Sequence, residues 1–262
     1  MTPAPALVAI AVLGLVVGSF LNVVIHRVPR GESVLRPASR CPRCAVAIRP
    51  WHNVPVLGWL VLRGRCAACR QPVSARYPLT EIVTSLLFVA VTLRFGVTAV
   101  LPAYLYLAAV TVALAAIDLD VKRLPNAIVL PSYLVGVALL VPAAAATGDW
   151  GPAGRGLLAM AALAAGYLAL ATAYPGGMGL GDVKLAGLLG LYLGWLGWGE
   201  VVIGTFAGFL AGGVVGAVLL VTRRARRRTA LAFGPYMLAG AMLAVFLATP
   251  IARWYAALVV AA

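Results

Sequence analysis

Apolar stretches close to twenty residues long, broken by short segments rich in proline, glycine or charge, make up most of the chain. A helix of about 20 apolar residues crosses a hydrocarbon core of about 30 Å. The pattern predicts eight such helices, over roughly residues 4–25, 79–94, 99–117, 126–146, 154–174, 183–198, 200–222 and 233–251. One connection is long, about fifty residues from His26 to Pro78, and prolines at 29, 37, 42, 50, 55, 72 and 78 predict turns and short strands there. The expected fold class is an all-α polytopic membrane protein with about eight transmembrane helices and one small extramembrane domain. Its expected divisions are a first helix over 1–25, a cysteine-bearing domain over 26–78 and seven membrane helices over 79–262.

Composition sharpens this picture. Of 262 residues, 63% are hydrophobic and 11% charged, whereas soluble domains run about 45–50% apolar and about 25% charged. A soluble fold and a disordered chain are both excluded. The net charge of +14 would by itself suggest nucleic acid, but its sidedness reports topology instead. With the N-terminus outside, the inner side receives ten basic residues between Arg27 and Arg76, then Lys122, Arg123, Lys184 and the five arginines of Arg223–Arg228. Only Arg94, Arg155 and Arg253 fall outside. A seven-helix or inverted threading spoils this positive-inside bias, so no nucleic-acid partner is expected. His26, Arg27 and Arg30 follow the first apolar run and none precedes it, which marks a retained helix rather than a cleaved signal. Gly204, Gly208, Gly212 and Gly216 recur every fourth residue, as do Gly14 with Gly18 and Gly190 with Gly194, a pattern for close helix packing within the bundle or for a dimer face. No internal repeat stands out.

The long connection holds all four cysteines, as Cys41-Pro-Arg-Cys44 and Cys66-Ala-Ala-Cys69 separated by 21 residues. The gap slightly exceeds the usual zinc spacing of about 15–20. Two such knuckles can converge four thiolates on a structural Zn²⁺, leaving no open position for catalysis, and the metal would supply folding energy that a segment of this size lacks. Disulfides are the competing reading, disfavoured in the reducing compartment that the charge bias implies.

Acidic residues number only seven. Two stand at comparable membrane edges: Asp118 in Ala-Ile-Asp-Leu-Asp-Val-Lys-Arg-Leu-Pro, and Asp182 in Gly-Gly-Met-Gly-Leu-Gly-Asp-Val-Lys. Ionisable groups at such depth suggest function. Brought together, two carboxyls hold a single shared proton, one taking a proton from water while the other polarises a peptide carbonyl. Gly179 and Gly181 would let that backbone approach a partner helix or an extended substrate. Each acid also has a plain reading: Asp118 and Asp120 as a solvated helix end beside Lys122 and Arg123, Asp182 as a helix cap. A proton-relay transporter or a zinc-bearing scaffold is the alternative of a different class, disfavoured because both acids lie at one edge and not at the midplane.

With these residues in place the chain resembles the bacterial type IV prepilin leader peptidases, membrane aspartic proteases of the Gly-x-Gly-Asp kind. The resemblance runs nearly end to end: Gly18-Ser-Phe-Leu-Asn-Val-Val-Ile-His-Arg-Val-Pro29, Arg40-Cys-Pro-Arg-Cys44, Asn53-Val-Pro55, Leu62-Arg-Gly-Arg-Cys66, Arg76-Tyr-Pro-Leu-Thr-Glu81, Ile117-Asp-Leu-Asp120, Leu124-Pro125, Gly177-Met-Gly-Leu-Gly-Asp-Val-Lys-Leu185 and Phe233-Gly-Pro235. It implies removal of the basic leader from prepilins and pseudopilins at the inner face of the bacterial cytoplasmic membrane, then methylation of the new amino terminus with S-adenosylmethionine. It also implies Asp118 and Asp182 as the catalytic pair, Lys184 and Asp120 in support, and Cys41, Cys44, Cys66 and Cys69 as zinc ligands in a domain associated with methylation. A related membrane aspartyl protease without methylation is the nearer alternative. One departure is Leu124-Pro125-Asn126, where the family commonly has Leu-Pro-Asp; this places weight on Asp118, with Asp120 in reserve. Glu81 and Asn22 are candidates for contact with a cofactor or substrate amine, or for plain interhelical hydrogen bonds. Trp51, Trp59 and Tyr77 are assigned to the interface or to packing of the small domain. A basic leader should avoid the basic connection, whose arginines are expected to face anionic lipid, and should lie near the few acids.

Overall fold

The computed structural model describes residues 3–41, 43–174, 178–223 and 232–261, with 252, 253 and 255–261 described by backbone alone. Gly177 of the Gly-x-Gly-Asp segment, the arginines from 224 to 228 and the side chain of Arg253 lie outside the described residues. The helices are α1 (Ala4–Arg27), α2 (Leu57–Val61), α3 (Arg76–Phe95), α4 (Leu101–Val121), α5 (Asn126–Thr147), α6 (Gly151–Ala173), α7 (Leu180–Leu196), α8 (Trp198–Val221) and α9 (Gly234–Ala261). Apart from the short α2 these are the eight long helices expected. Seven are long and apolar enough to cross a membrane; α7, with 17 residues, stands at the lower limit of about 17–25 for a spanning helix. Contacts divide the chain into two compact units, residues 1–113 and 114–262, with α4 running through the boundary.

In the first unit α1 packs along α3. Gly14 and Gly18 make this possible: a methyl group on them would stand 2.5 Å from Ser85 Cα and 2.6 Å from Glu81 Cα. With no water to drive apolar surfaces together in lipid, such backbone proximity and polar stitches hold helices together. Ser85 Oγ donates to the Ala11 carbonyl at 2.8 Å, and Asn22 Nδ2 donates to the Tyr77 carbonyl at 3.1 Å. The hydroxyls of Thr80, Thr84 and Thr92 return to carbonyls four residues back, so α3 carries buried polar side chains without leaving them unsatisfied.

The segment between α1 and α3 has turns as expected, but among the described residues the expected short strands reduce to two isolated bridges, Arg40 with Ala47 and Arg65 with Pro72. The physical reason is local: each Cys-x-x-Cys turn closes on itself after one bridge. Trp59 packs inside this segment, donating to the Val73 carbonyl at 3.0 Å over Gly64. Trp51 is exposed, with Arg49 over its ring.

The second unit is organised around α7, whose residues from Leu185 to Gly194 are all buried. A helix apolar on every side belongs in the middle of protein, not at its rim. It packs most closely on α6 and also meets α5, α8 and α9. A methyl at Gly190 would lie 2.5 Å from the Ala159 carbonyl oxygen, and one at Gly194 2.5 Å from Ala159 Cβ. Gly204 and Gly208 press against Gly240 and Met237 of α9, and Gly212 meets Phe233, whereas Gly216 faces open space. The glycine stripe of α8 is thus mostly an internal seam. We predict that Gly204→Val and Gly240→Val each cost about 1–3 kcal/mol by overpacking, while Gly216→Val is tolerated. Thermal unfolding of the purified protein in detergent checks this, and equal loss for all three would contradict it.

Candidate active site and cysteine centre

In the second unit the ends of α4, α6 and α8 and the starts of α5, α7 and α9 lie on one side, because consecutive spans alternate in direction. Asp118 occupies the last turn of α4 and is 4% exposed. Its Oδ2 accepts the Gly234 N–H at 3.0 Å, at the first residue of α9. A free N–H at a helix start is one of the orphan donors of that helix, and the positive end of its dipole points the same way. Gly234 leaves room for that carboxylate: a methyl there would stand 2.8 Å from Asp118 Oδ2, so the acid would have to shift. Asp120 lies two residues further along α4, exposed on another side of the helix.

Asp182 is in the first turn of α7, where its Oδ2 accepts the Gly179 N–H at 3.0 Å. The cap reading is therefore part of its geometry. It is not all of it, since the glycine before it lies against Leu124, which also lies against Gly234, the donor to Asp118. Leu124 joins the two acids' surroundings: a methyl at Gly181 would be 3.2 Å from Leu124 Cβ, and one at Gly234 would be 3.2 Å from Leu124 Cδ2. Gly181 thus lets the start of α7 close on the turn after α4. Lys184 Nζ donates to Asn126 Oδ1 at 3.0 Å, and the Tyr133 hydroxyl donates to the Lys184 carbonyl at 2.5 Å, fixing α5 to α7. Gly179 precedes the helix and supplies its N–H alone.

Two contributors escape a sequence reading, Tyr167 of α6 and Phe209 of α8, and Gly234, though part of the quoted Phe233-Gly-Pro235, carried no role there. The Tyr167 and Phe209 rings lie 5.4 Å apart, and the Phe209 and Phe233 rings 5.3 Å, so an aromatic row buttresses the residue before Gly234. Its only sequence signal is the Phe-Gly-Pro break at the helix start.

In the first unit the four cysteines are free thiols whose sulfurs all lie within 4.8 Å of one another. Cys41 Sγ is 3.9 Å from Cys69 Sγ and Cys44 Sγ 4.0 Å from Cys66 Sγ. The edge of a tetrahedron with metal–sulfur bonds of about 2.3 Å is about 3.8 Å, so the donor set fits a four-thiolate metal ion. The two knuckles are one local structure used twice. Cys41 and Cys66 N–H groups bond to the Val46 and Gln71 carbonyls, and Ala45 and Arg70 return to the Cys41 and Cys66 carbonyls with φ of 58° in both. Arg-Cys-x-x-Cys recurring 25 residues on is the repeat that inspection of the sequence passed over. Backbone N–H groups of Cys44 and Arg43 pull the Cys41 thiol down to about 6, and those of Cys69 and Ala68 hold Cys66 below the usual thiol range. Both effects favour the thiolate that a metal needs, whereas Cys69, although it meets the Gln71 backbone N–H, is pushed up to about 11 by burial and the other three thiols.

Glu81 of α3 is buried, and its Oε2 accepts the Val56 N–H at 2.7 Å. Asn22 is committed to the Tyr77 carbonyl, an interhelical hydrogen bond.

Residues 12–95 match the bacterial peptidase A24 N-terminal domain, and residues 105–221 match the type IV leader peptidase family. A Pseudomonas putida protein named prepilin leader peptidase/N-methyltransferase is 38% identical, over 94% of this chain and 92% of that protein. The chain belongs to the type IV leader peptidase family. Two further relatives with the same name come from Myxococcus xanthus, 44% identical over 83% of this chain and 64% of that protein, and Burkholderia pseudomallei, 35% identical over 91% and 84%. No solved structure matches the chain. Two regions of the chain are matched separately. The first falls within the unit that carries the cysteines and the second mainly within the unit that carries Asp118 and Asp182.

Titrating the metal-free protein with Co²⁺ is expected to give the ligand-field and thiolate charge-transfer bands of a tetrahedral four-sulfur site at one ion per chain. Cys41→Ser and Cys66→Ser should each weaken binding and shift the spectrum. An unchanged spectrum in either variant would remove that cysteine from the ligand set.

Proposed function

We propose that this protein is a prepilin leader peptidase and N-methyltransferase, cutting prepilins or pseudopilins with Asp118 and Asp182 at the cytoplasmic face of a bacterial inner membrane. The observation that carries the reading is the buried Asp118, fixed by Gly234, with Leu124 lying against both Gly234 and Gly181 beside Asp182, in a family member. Cleavage is assigned to the membrane helices of residues 79–262 and methylation to the cysteine-bearing segment 26–78. The N-terminus lies outside, as the basic residues require.

Each carboxylate is held through one oxygen by one backbone N–H, and a carboxylate has two oxygens. Orientation therefore does not by itself occupy the second oxygen. With one proton between the two acids, the ionised member takes a proton from water as the water oxygen attacks the peptide carbonyl carbon, and the protonated member donates to the carbonyl oxygen. Collapse of the tetrahedral species breaks the C–N bond as a carboxyl proton passes to the departing nitrogen. The elements of water are thereby divided between the two products. Gly179, Gly181 and Gly234 keep side chains out of this space, and Lys184 is held beside it by Asn126. Asp120 is left as a surface acid that a basic leader can approach.

The four cysteines are assigned a Zn²⁺ ion that joins the two knuckles and stabilises the fold of segment 26–78, without access to substrate. S-adenosylmethionine is the methyl donor that N-methylation calls for; when bound it supplies an electrophilic methyl group.

Asp118→Asn and Asp182→Asn are each expected to lower cleavage of a purified prepilin by about 10²–10⁴-fold or more, with zinc content and thermal unfolding unchanged. Cleavage at the wild-type rate in either variant would sink the paired-acid mechanism. Gly234→Ala should lower kcat by about 10–100-fold with little change in KM, because it displaces Asp118 without touching the leader. Incubation with a labelled methyl donor separates the second activity: product cut but unlabelled rejects methylation.

A further inference from the structure

The first unit holds a cavity of about 340 Å³ between α1 and the chain that follows it. On the α1 side its wall includes Val16, Phe20, Val23 and Arg27. Spaced by four, three and four residues, these stand on one face of the helix. The face is apolar for two turns and then ends in the guanidinium of the last residue of α1. Over the eleven residues from Val16 to Arg27 the helix rises about 16 Å, and half of a hydrocarbon core of about 30 Å is about 15 Å. Because His26, Arg27 and Arg30 mark the polar edge of the membrane, the cavity runs the depth of one leaflet.

The facing wall comes from Leu35, Ala38 and Ser39 of the following loop and from Asn53 and Pro55. Phe20 is 48% and Leu35 82% exposed, so the apolar part lies open along the flank of α1, where a spanning helix meets lipid. Charge in the wall has one sign. No acid lines the cavity among the described residues, and Arg27 donates to two neutral groups, the Ser33 carbonyl at 2.9 Å and the Pro37 carbonyl at 2.7 Å. These bonds take two of the five N–H donors of a guanidinium and fix its position without neutralising it. Arg36 and Arg40, both exposed, are chain neighbours of the wall residues Leu35 and Ser39. Behind Pro55 the chain is pinned: Val56, at φ 60°, sits in a strained three-residue turn closed by the Leu57 N–H on the Pro55 carbonyl at 2.6 Å, and the buried Glu81 carboxylate accepts the Val56 N–H at 2.7 Å. That side of the cavity is therefore preformed.

We infer that this cavity is a site for one anionic phospholipid, its acyl chain along Val16, Phe20 and Val23 and its phosphate at Arg27. Basic pockets at the edge of spanning helices bind anionic headgroups. An amphiphile matches both ends of the wall at once: a chain of one leaflet's depth covers the apolar face, and an anion meets the guanidinium that no acid neutralises. Ser39 and Asn53 offer hydrogen bonds to the ester and glycerol oxygens between them. A free phosphate would leave the apolar face uncovered. Seated there, the lipid packs the loop against α1 just before Arg40, where the first cysteine turn begins with its bridge to Ala47.

The test is native mass spectrometry of the full-length protein, stripped of lipid in detergent and then given dioleoyl phosphatidylglycerol, dioleoyl phosphatidylcholine or inorganic phosphate, with thermal unfolding followed in the same samples. One phosphatidylglycerol per chain should be retained at least tenfold more tightly than phosphatidylcholine and should raise the unfolding temperature; phosphate should do neither. Ala38→Asp, which puts an acid at an exposed position of the wall, should weaken retention at least tenfold, whereas Ala38→Arg should keep it. Val16→Trp, at a residue 53% exposed on α1, should weaken retention by filling the place of the chain. The Co²⁺ spectrum of the cysteine centre shows that each variant is folded. Equal retention of the two phospholipids, or wild-type retention in folded Ala38→Asp or folded Val16→Trp, overturns the site. Phosphate that binds and stabilises as well as phosphatidylglycerol also overturns it, leaving an anion site without a lipid.

Discussion

A carboxylate 4% exposed in the last turn of a spanning helix needs a donor close by, and for Asp118 that donor is the N–H of Gly234. An unsatisfied buried acceptor costs about 1–3 kcal/mol, more when charged, so the bond constrains three things together. The end of α4 must meet the start of α9, residue 234 must lack a side chain, and α9 must begin there. Leu124 then wedges between Gly234 and Gly181, carrying the constraint to the first turn of α7 and to Asp182. The placement of the two acids is thus a consequence of how three helix ends close on one another.

That closure depends on backbones approaching where lipid provides no hydrophobic drive. Glycines at 190 and 194 admit α7 against α6, and those at 204, 208 and 240 seal α8 to α9. The buried centre of the unit is consequently its shortest long helix, α7.

The eight long helices were legible because lipid demands long apolar runs, seven of those described being long and apolar enough to span it, and the cysteine cluster was legible because two Cys-x-x-Cys turns suit one metal. Asp118 and Asp182 stood out through the scarcity of acids. What could not be read was pairing over distance: Gly234 lies 116 residues from Asp118, and a lone glycine before proline reads equally well as a helix start. The expected strands around the cysteines failed because each knuckle satisfies its own backbone after a single bridge. Asn22 makes the expected interhelical bond, one amide N–H donating to the Tyr77 carbonyl. The strained turn at Val56 has no sequence signature, since valine is among the residues least suited to positive φ.

The asparagine at 126 bears on which acids do the chemistry. The resemblance drawn from the sequence leads to the expectation of an acid after the Leu124-Pro125 pair. Here the side chain is an amide whose oxygen accepts the Lys184 ammonium at 3.0 Å. An amide cannot carry a proton through a catalytic cycle, but its oxygen receives a hydrogen bond as a carboxylate oxygen does. In this chain Asn126 holds Lys184, and with it the first turns of α5 and α7. On the proposed reading, proton transfer then falls to the two acids whose oxygens are aimed by Gly234 and Gly179.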